Sequence, residues 1–275
     1  PEPKHDKKQR QPASVLRRMF SAGQVKSACL YITCHGLYTA VLNGVRVGDF
    51  VLAPGVDDYQ KRLQVQAYDV TALLREGENE LIVTLGDGWY RGNNGIDGSN
   101  NLSGSDLALL CQLEADGTVI LVSDESWEAS QDGPVRENDM ELGEVYDARK
   151  EQISAWHGVT VRKFGYDNLV PTETVPIKEQ ERFSGKLIRT PNGERVVDFG
   201  QNLAGYTELR VQAKAGQQIM LWHGETLDEN GNFTQSNYDP GARNKNGGIP
   251  QKLTYICKDG INVCPVRPDR SAPRP

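Results

Sequence analysis

Apolar and polar residues alternate along most of this chain, and few stretches repeat at the 3.6-residue period of a helix. The runs CLYITC (29–34) and LYTAVL (37–42) are dominated by the aromatic and β-branched residues that strands prefer. The second run stops at Asn43-Gly44 and resumes as VRVGDFVL (45–52). Asn-Gly between alternating apolar runs predicts a tight hairpin, because both central positions of a type I′ turn need positive φ. RLQVQAYDV (62–70), a short helical turn around TALLREGEN (71–79) and the strand ELIVTLG (80–86) follow. Residues 107–114, the turn Asp116-Gly117 and TVILVS (118–123) make a second hairpin, and SWEAS (126–130) gives a short edge strand carrying Trp127. Many short strands at this spacing predict a β-sandwich or jelly roll over residues 14–162.

The alternation lapses in EQISAWHGV (151–159) and in KFGYDNLVPTETVP (163–176), so residues 163–176 read as a linker. It resumes in IKEQERF (177–183), KLIRTPNGERVVDFG (186–200), GYTELRVQAKAGQQIMLWHGETL (205–227) and KLTYICKDG (252–260). Turns at Pro191-Asn192-Gly193, Ala215-Gly216 and Asp228–Gly231 punctuate them. The expected fold is therefore all-β, two β-sandwich or jelly-roll domains in tandem, the second spanning residues 177–263. Residues 1–13 and the proline-rich 264–275 carry no periodicity and read as disordered ends.

Composition narrows the function without naming it. A net charge of −6 with 25% charged residues gives no basic face for nucleic acid or an anionic membrane. No apolar run approaches the roughly 20 residues that cross a bilayer. The charged start PEPKHDKKQRQP lacks the apolar centre of a signal peptide, so a cytoplasmic location is expected. It opens on Pro rather than Met, as a processed or excised chain would. Five cysteines without C-x-x-C or Cys/His spacing argue against a disulfide framework and against a zinc site.

Candidate chemistry is dispersed. Asp198-Phe199-Gly200-Gln201-Asn202 sets a carboxylate and two amides between apolar runs, and Asp198 with Glu225 could act as the carboxylate pair of a glycosidase. The other reading is a polar turn between two strands. His223 and Glu225 stand two apart, which on a strand places both on one face. No G-x-S-x-G and no phosphate loop occurs. The stretch GDGWYRGNNGIDGSNN (86–101) pairs two aromatics, Trp89 and Tyr90, with a run of Asn, Asp and Gly. Sugars are held by aromatic stacking and by amide or carboxylate contacts to hydroxyls. A core Trp followed by a long turn is the competing account. Asp57-Asp58, with Asn100 and Asn101, offers hard oxygen ligands of the kind calcium takes, though not at EF-hand spacing.

These residues carry a resemblance. LYITCHGLYTAVLNGVRVGDFVLAPGVDDYQKRLQVQAYDVTALLREGENELIVTLGDGWYRG (30–92) resembles the N-terminal β-sandwich module of bacterial α-L-rhamnosidases, and LGEVYDARKE (142–151) the segment that closes it. RVVDFGQNLAGYTELRV (195–211) with GQQIMLWHGETLDENGNF (216–233) resembles the next β domain of the same enzymes. The resemblance implies a parent enzyme that hydrolyses terminal α-L-rhamnosides by inversion on an (α/α)₆ barrel, of which this chain has nothing. It implies a chain that is non-catalytic alone, that partners that barrel, and that binds L-rhamnose-containing carbohydrate, with no cofactor required beyond possible help from calcium. The implied binding face is Trp89, Tyr90, Arg91, Asn93, Asn94 and Asp97, with Asp57, Asp58, Asn100 and Asn101 as implied calcium ligands. After ICKDGIN the family would continue with an aromatic strand, whereas this chain reads VCPVRPDRSAPRP (263–275), so residues 264–275 are expected to depart from it.

Overall fold

A computed structural model describes residues 10–94, 99–236 and 252–264. Its first strands are β1 (Ser14–Ala22), β2 (Ala28–His35), β3 (Leu37–Leu42), β4 (Val45–Arg46), β5 (Leu63–Asp69) and β6 (Gly77–Gly86). The short helix α1 (Gly88–Arg91) precedes β7 (Ala108–Ala115), β8 (Thr118–Val122), β9 (Glu128–Ser130), β10 (Val135–Asp139) and β11 (Gly143–Asp147). Then come β12 (His157–Gly158), β13 (Leu169–Pro171), β14 (Lys186–Arg189), β15 (Arg195–Asp198) and β16 (Leu209–Ala213). The last are β17 (Gln218–Trp222), β18 (Lys252–Ile256) and β19 (Gly260–Cys264). The chain is all-β.

A six-stranded sheet, β12-β9-β1-β6-β3-β4, faces a five-stranded sheet, β13-β5-β2-β7-β8. The alternation explains the packing. Leu81, Val83 and Leu85 of β6 point inward and meet Leu30, Ile32 and Cys34 of β2 in one core that also takes Trp127. Asn43 and Gly44 have φ of 53° and 82°, and Asp116 and Gly117 have 49° and 77°, so both expected hairpin turns form with the backbone they require. Trp127 lies just before β9 and is buried, its Nε1 donating to the Val122 carbonyl at 2.8 Å. β9 is not an edge strand, because the two-residue β12 covers its outer side.

A second core gathers Tyr146, Ala148, Ala213, Tyr255, Cys257 and Cys264 between the four-stranded sheet β10-β11-β18-β17 and the pair β16-β19. Here topology departs from sequence order. The hairpin β10-β11 precedes residue 162, yet β11 pairs in parallel with β18, Tyr146 opposite Tyr255. Parallel pairing between segments this far apart leaves no local signal, since no tight turn joins them. Two further stretches differ from the sequence reading. Within 163–176, β13 adds to the first sandwich beside β5. IKEQERF forms no strand; Ile177 accepts from the Val51 amide at 2.8 Å and Lys178 pairs with Asp49 at 2.9 Å, which ties this stretch to the first sandwich. Cys264 closes β19, and residues 265–275 fall outside the described part. All five cysteines are free. Among the described residues no helix is long and apolar enough to cross a membrane.

Candidate functional site

The first sandwich opens at one end into a cleft of about 390 Å³. Four elements meet there. β2 delivers His35 at its last residue, and α1 delivers Tyr90 directly after β6. The loop before β5 brings Tyr59 and Gln60, and the segment leading to β13 brings Phe164, Gly165, Asp167 and Asn168, with Ser103 on the rim. The His35 ring stacks on Tyr90 with centroids 4.5 Å apart and an 11° tilt. Phe164 stands edge-on to His35 at 4.6 Å, and Tyr59 edge-on to Tyr90 at 5.2 Å. Tyr59 and Tyr90 are buried, while Phe164 is 53% exposed and forms the open wall. The Asn168 amide donates to the Tyr59 carbonyl at 3.0 Å, joining the two loops.

Residues 87–94 and 99–104 form the base for Tyr90. Gly88 takes φ +52° at the sharp entry into α1, a conformation that glycine adopts without strain. Arg91 is 1% exposed, and its Nε donates to Asp87 at 2.7 Å one turn earlier while Nη1 reaches the Ser105 carbonyl. A desolvated guanidinium must be paired, and Asp87 supplies the charge. The loop folds back, with the Asn101 amide on the Arg91 carbonyl and the Ser103 amide on the Tyr90 carbonyl. Gly104 lies against the Tyr90 hydroxyl so closely that a Cβ there would overlap it. From outside, the β10-β11 hairpin grips the same segment. Asn138 accepts from the Asp87 amide at 2.7 Å, and Asp139 accepts from the Asn93 amide and side chain, both at 2.8 Å.

All but one of the residues named from sequence therefore have a place. Tyr90 lines the cleft; half-buried Trp89 packs behind it against the cluster of Tyr59, Leu63 and Tyr90. Arg91 is enclosed in its ion pair, Asn93 is held by Asp139, and Asn94 bridges to Ser99. Asp97 lies outside the described residues. Asp57 accepts from Gln64 at 3.2 Å with Arg62 at 3.7 Å, and Asp58 pairs with Lys61 at 2.8 Å, whose hydrogen bond holds the Asp58 carboxyl below its usual range. Asn101 sits at φ +56° with its side-chain oxygen sealed and unpartnered, and Asn100 makes its own contacts. Among the described residues no group of three or more His, Cys, Asp or Glu is placed to hold a metal ion. Asp57 and Asp58 thus each face protein donors or cations.

Asp198 is exposed and accepts from the Gly200 amide at 2.8 Å, the Asx turn of a polar corner, with Gln201 and Asn202 exposed beside it. His223 and Glu225 follow the end of β17 instead of sharing a strand face. His35, Tyr59, Gln60, Phe164, Asp167 and Asn168 were not singled out from sequence. A signal existed in KFGYDN (163–168), which has the same aromatic-plus-Asx grammar as the 86–101 stretch.

The titratable rings of the lining are neutral. Burial holds the Tyr59 phenol up, and burial with nearby Asp106 does the same to Tyr90, so both stay neutral donors. Burial pushes His35 down, and it too is neutral at pH 7. Asp167 is the carboxylate among the described lining residues. Aromatic faces ringed by hydroxyl, amide and one carboxylate can stack a sugar ring and bond its hydroxyls.

Comparison with known proteins gives a consistent family. Residues 23–184 match the model of the alpha-L-rhamnosidase N-terminal domain, and residues 188–271 match that of the bacterial alpha-L-rhamnosidase concanavalin-like domain. An alpha-L-rhamnosidase of Streptomyces avermitilis is 40% identical over 82% of this chain and 23% of its own length. One of Formosa agariphila is 34% identical over 90% of this chain and 27% of its own length. The chain thus spans about a quarter of the curated relatives it matches. The native Aspergillus terreus enzyme superposes with a TM-score of 0.85 at 33% identity, over 95% of this chain and 31% of that one. The Streptomyces avermitilis enzyme solved in complex with L-rhamnose superposes with a TM-score of 0.83 at 34% identity, over 92% of this chain and 26% of that one. Both tandem β domains are matched in order, and the chain belongs to the bacterial α-L-rhamnosidase family.

Proposed function

We propose that this chain is the accessory, non-catalytic region of an α-L-rhamnosidase, which binds L-rhamnose-bearing carbohydrate and supports a catalytic barrel that hydrolyses terminal α-L-rhamnosides. The cleft of His35, Tyr59, Tyr90 and Phe164 carries this reading. L-Rhamnose has a methyl group and a C–H face to set against aromatic rings, and hydroxyls to meet Gln60, Ser103, Asp167 and Asn168. Glycoside hydrolysis uses two carboxylates across the bond, one of them kept protonated by an apolar setting. Glu144 is the carboxyl that burial pushes up to about 7, and it stands in the second core beside Tyr146 and Cys264, away from the cleft lining. Exposed Asp198, held in its turn, has no such setting.

The test is calorimetric titration of the chain with L-rhamnose, with calcium and with a chelator, alongside Trp fluorescence from Trp89 behind Tyr90. Millimolar binding that is lost in Tyr90→Ala and unchanged by chelation is expected. Silence at tens of millimolar sugar would leave only a structural role. The same protein should leave a chromogenic rhamnoside intact. Turnover that disappears in Asp198→Asn or Glu225→Gln would instead locate catalysis in this chain.

A further inference from the structure

We propose that His35 selects the sugar in this cleft, its neutral ring held between Tyr90 and Phe164 and presenting an Nε2–H donor to a hydroxyl of an uncharged sugar. This rests on the carbohydrate reading above. His35 ends β2, paired with Ala108, and the chain turns at once through Gly36 at φ +112°, where a Cβ would overlap the Gly86 carbonyl. The ring therefore stands at the sheet end with Tyr90 parallel at 4.5 Å and Phe164 edge-on at 4.6 Å. One ring stacked on it and one edge-on leave it little freedom to turn.

The nitrogens are unequal. Nδ1 is sealed from solvent without a hydrogen-bond partner. No donor or acceptor among the described residues bonds the ring, so Nε2 is the nitrogen that meets the cleft. A neutral imidazole carries one proton, and a sealed N–H with no acceptor is the rarer and costlier orphan. The proton therefore resides on Nε2, where water or a ligand oxygen accepts it. Adding a second proton would place an N–H at sealed Nδ1, the same burial that holds His35 below its ordinary range. The groups facing it do not oppose this. Tyr90 and Tyr59 are neutral phenols, and the neighbouring Cys34 thiol is pushed up by burial. Asp106, near Tyr90, is 3.7 Å from Arg162. Asp167 remains as the charged group of the cleft, and no Lys or Arg is among the described lining residues. A uronate would meet that carboxylate without a cation to offset it, whereas an uncharged sugar meets no such repulsion.

The experiment uses the whole chain, with L-rhamnose and D-glucuronate as probes and nitrogen NMR of the His35 ring. His35→Phe keeps the stacking and removes the donor, and about a tenfold loss of L-rhamnose affinity is expected. The unaltered protein should show the Nε2–H form at pH 7 to 8 and at least tenfold weaker binding of glucuronate. Undiminished affinity in His35→Phe, an Nδ1–H form, or glucuronate bound as well as L-rhamnose overturns this inference alone. Failure of the unaltered protein to bind L-rhamnose overturns the carbohydrate reading and this with it. The ring spectrum needs no variant, so a misfolded substitution leaves the tautomer test standing.

Discussion

The same turn is built twice, once in each half of the molecule. In REGEN (75–79) Asn79 accepts from the Arg75 amide at 2.9 Å and donates to the carbonyls of Arg75 and Gly77. In KDGIN (258–262) Asn262 accepts from the Lys258 amide at 2.9 Å and donates to the carbonyls of Lys258 and Gly260. Both asparagines are 1% exposed, and the glycines sit at φ 90° and 94°. Their surroundings differ. Around Asn79, six- and five-stranded sheets close over a continuous core, and Asn43 adds a further bond at 2.7 Å. Around Asn262 the sheets are four- and two-stranded, and large apolar residues such as Leu187, Val197, Met220 and Trp222 stay exposed. An identical local device therefore does not determine how much apolar surface its domain buries; the number of strands that can be stacked over it does.

The comparison can be pressed by substitution. Trp127→Ala should be the most damaging change, about 3–5 kcal/mol, because it empties a large core volume and frees the Val122 carbonyl. Urea denaturation followed by circular dichroism measures it, and a loss below about 1 kcal/mol would mean that the first core is not tightly packed. Asn79→Ala and Asn262→Ala strip the same three backbone partners, so each should cost about 1–3 kcal/mol. Asn79 should lie at the upper end because of Asn43. Equal losses would show that the turn alone sets its worth.

Glu144 sharpens the second core. Burial raises its folded pKa above the unfolded value, so the folded state binds more protons between roughly pH 4.5 and 7. Stability linked to it is present below that window and lost as pH rises through about 7. Glu144→Gln should therefore stabilise by about 1–2 kcal/mol at pH 8 and little at pH 4, read from paired thermal melts. Identical shifts at both pH values would place Glu144 in water. Leu187→Ser, at a site 65% exposed, should change stability by less than about 0.5 kcal/mol in the same melts.

Much of the first sandwich was legible because its information is local. Asn43-Gly44 and Asp116-Gly117 announce their turns, and the inward residues of β2 and β6 announce a shared core. The cleft was only half legible. Tyr90 was visible beside its Asn-Gly run, but Arg91 and Asn93, equally promising as residue types, are taken up by Asp87 one turn earlier and by Asp139 of the distant β10-β11 hairpin. His35 and Phe164 lie 129 positions apart, more than a hundred residues of chain between them, and only the strand end and the returning loop bring them together.

The sequence by itself determined the all-β class, the hairpin turns and the family, since period-two alternation, Asx-Gly pairs and collinear motifs act over a few residues. Tertiary structure decided that β11 joins β18, that 163–176 adds a strand and a cleft wall to the first sandwich, and which of the polar candidates face solvent. The reason is physical. Turn geometry and strand preference arise from a residue and its neighbours, whereas parallel pairing, ion-pair burial and an aromatic cleft need surfaces from distant segments, whose meeting no local pattern encodes.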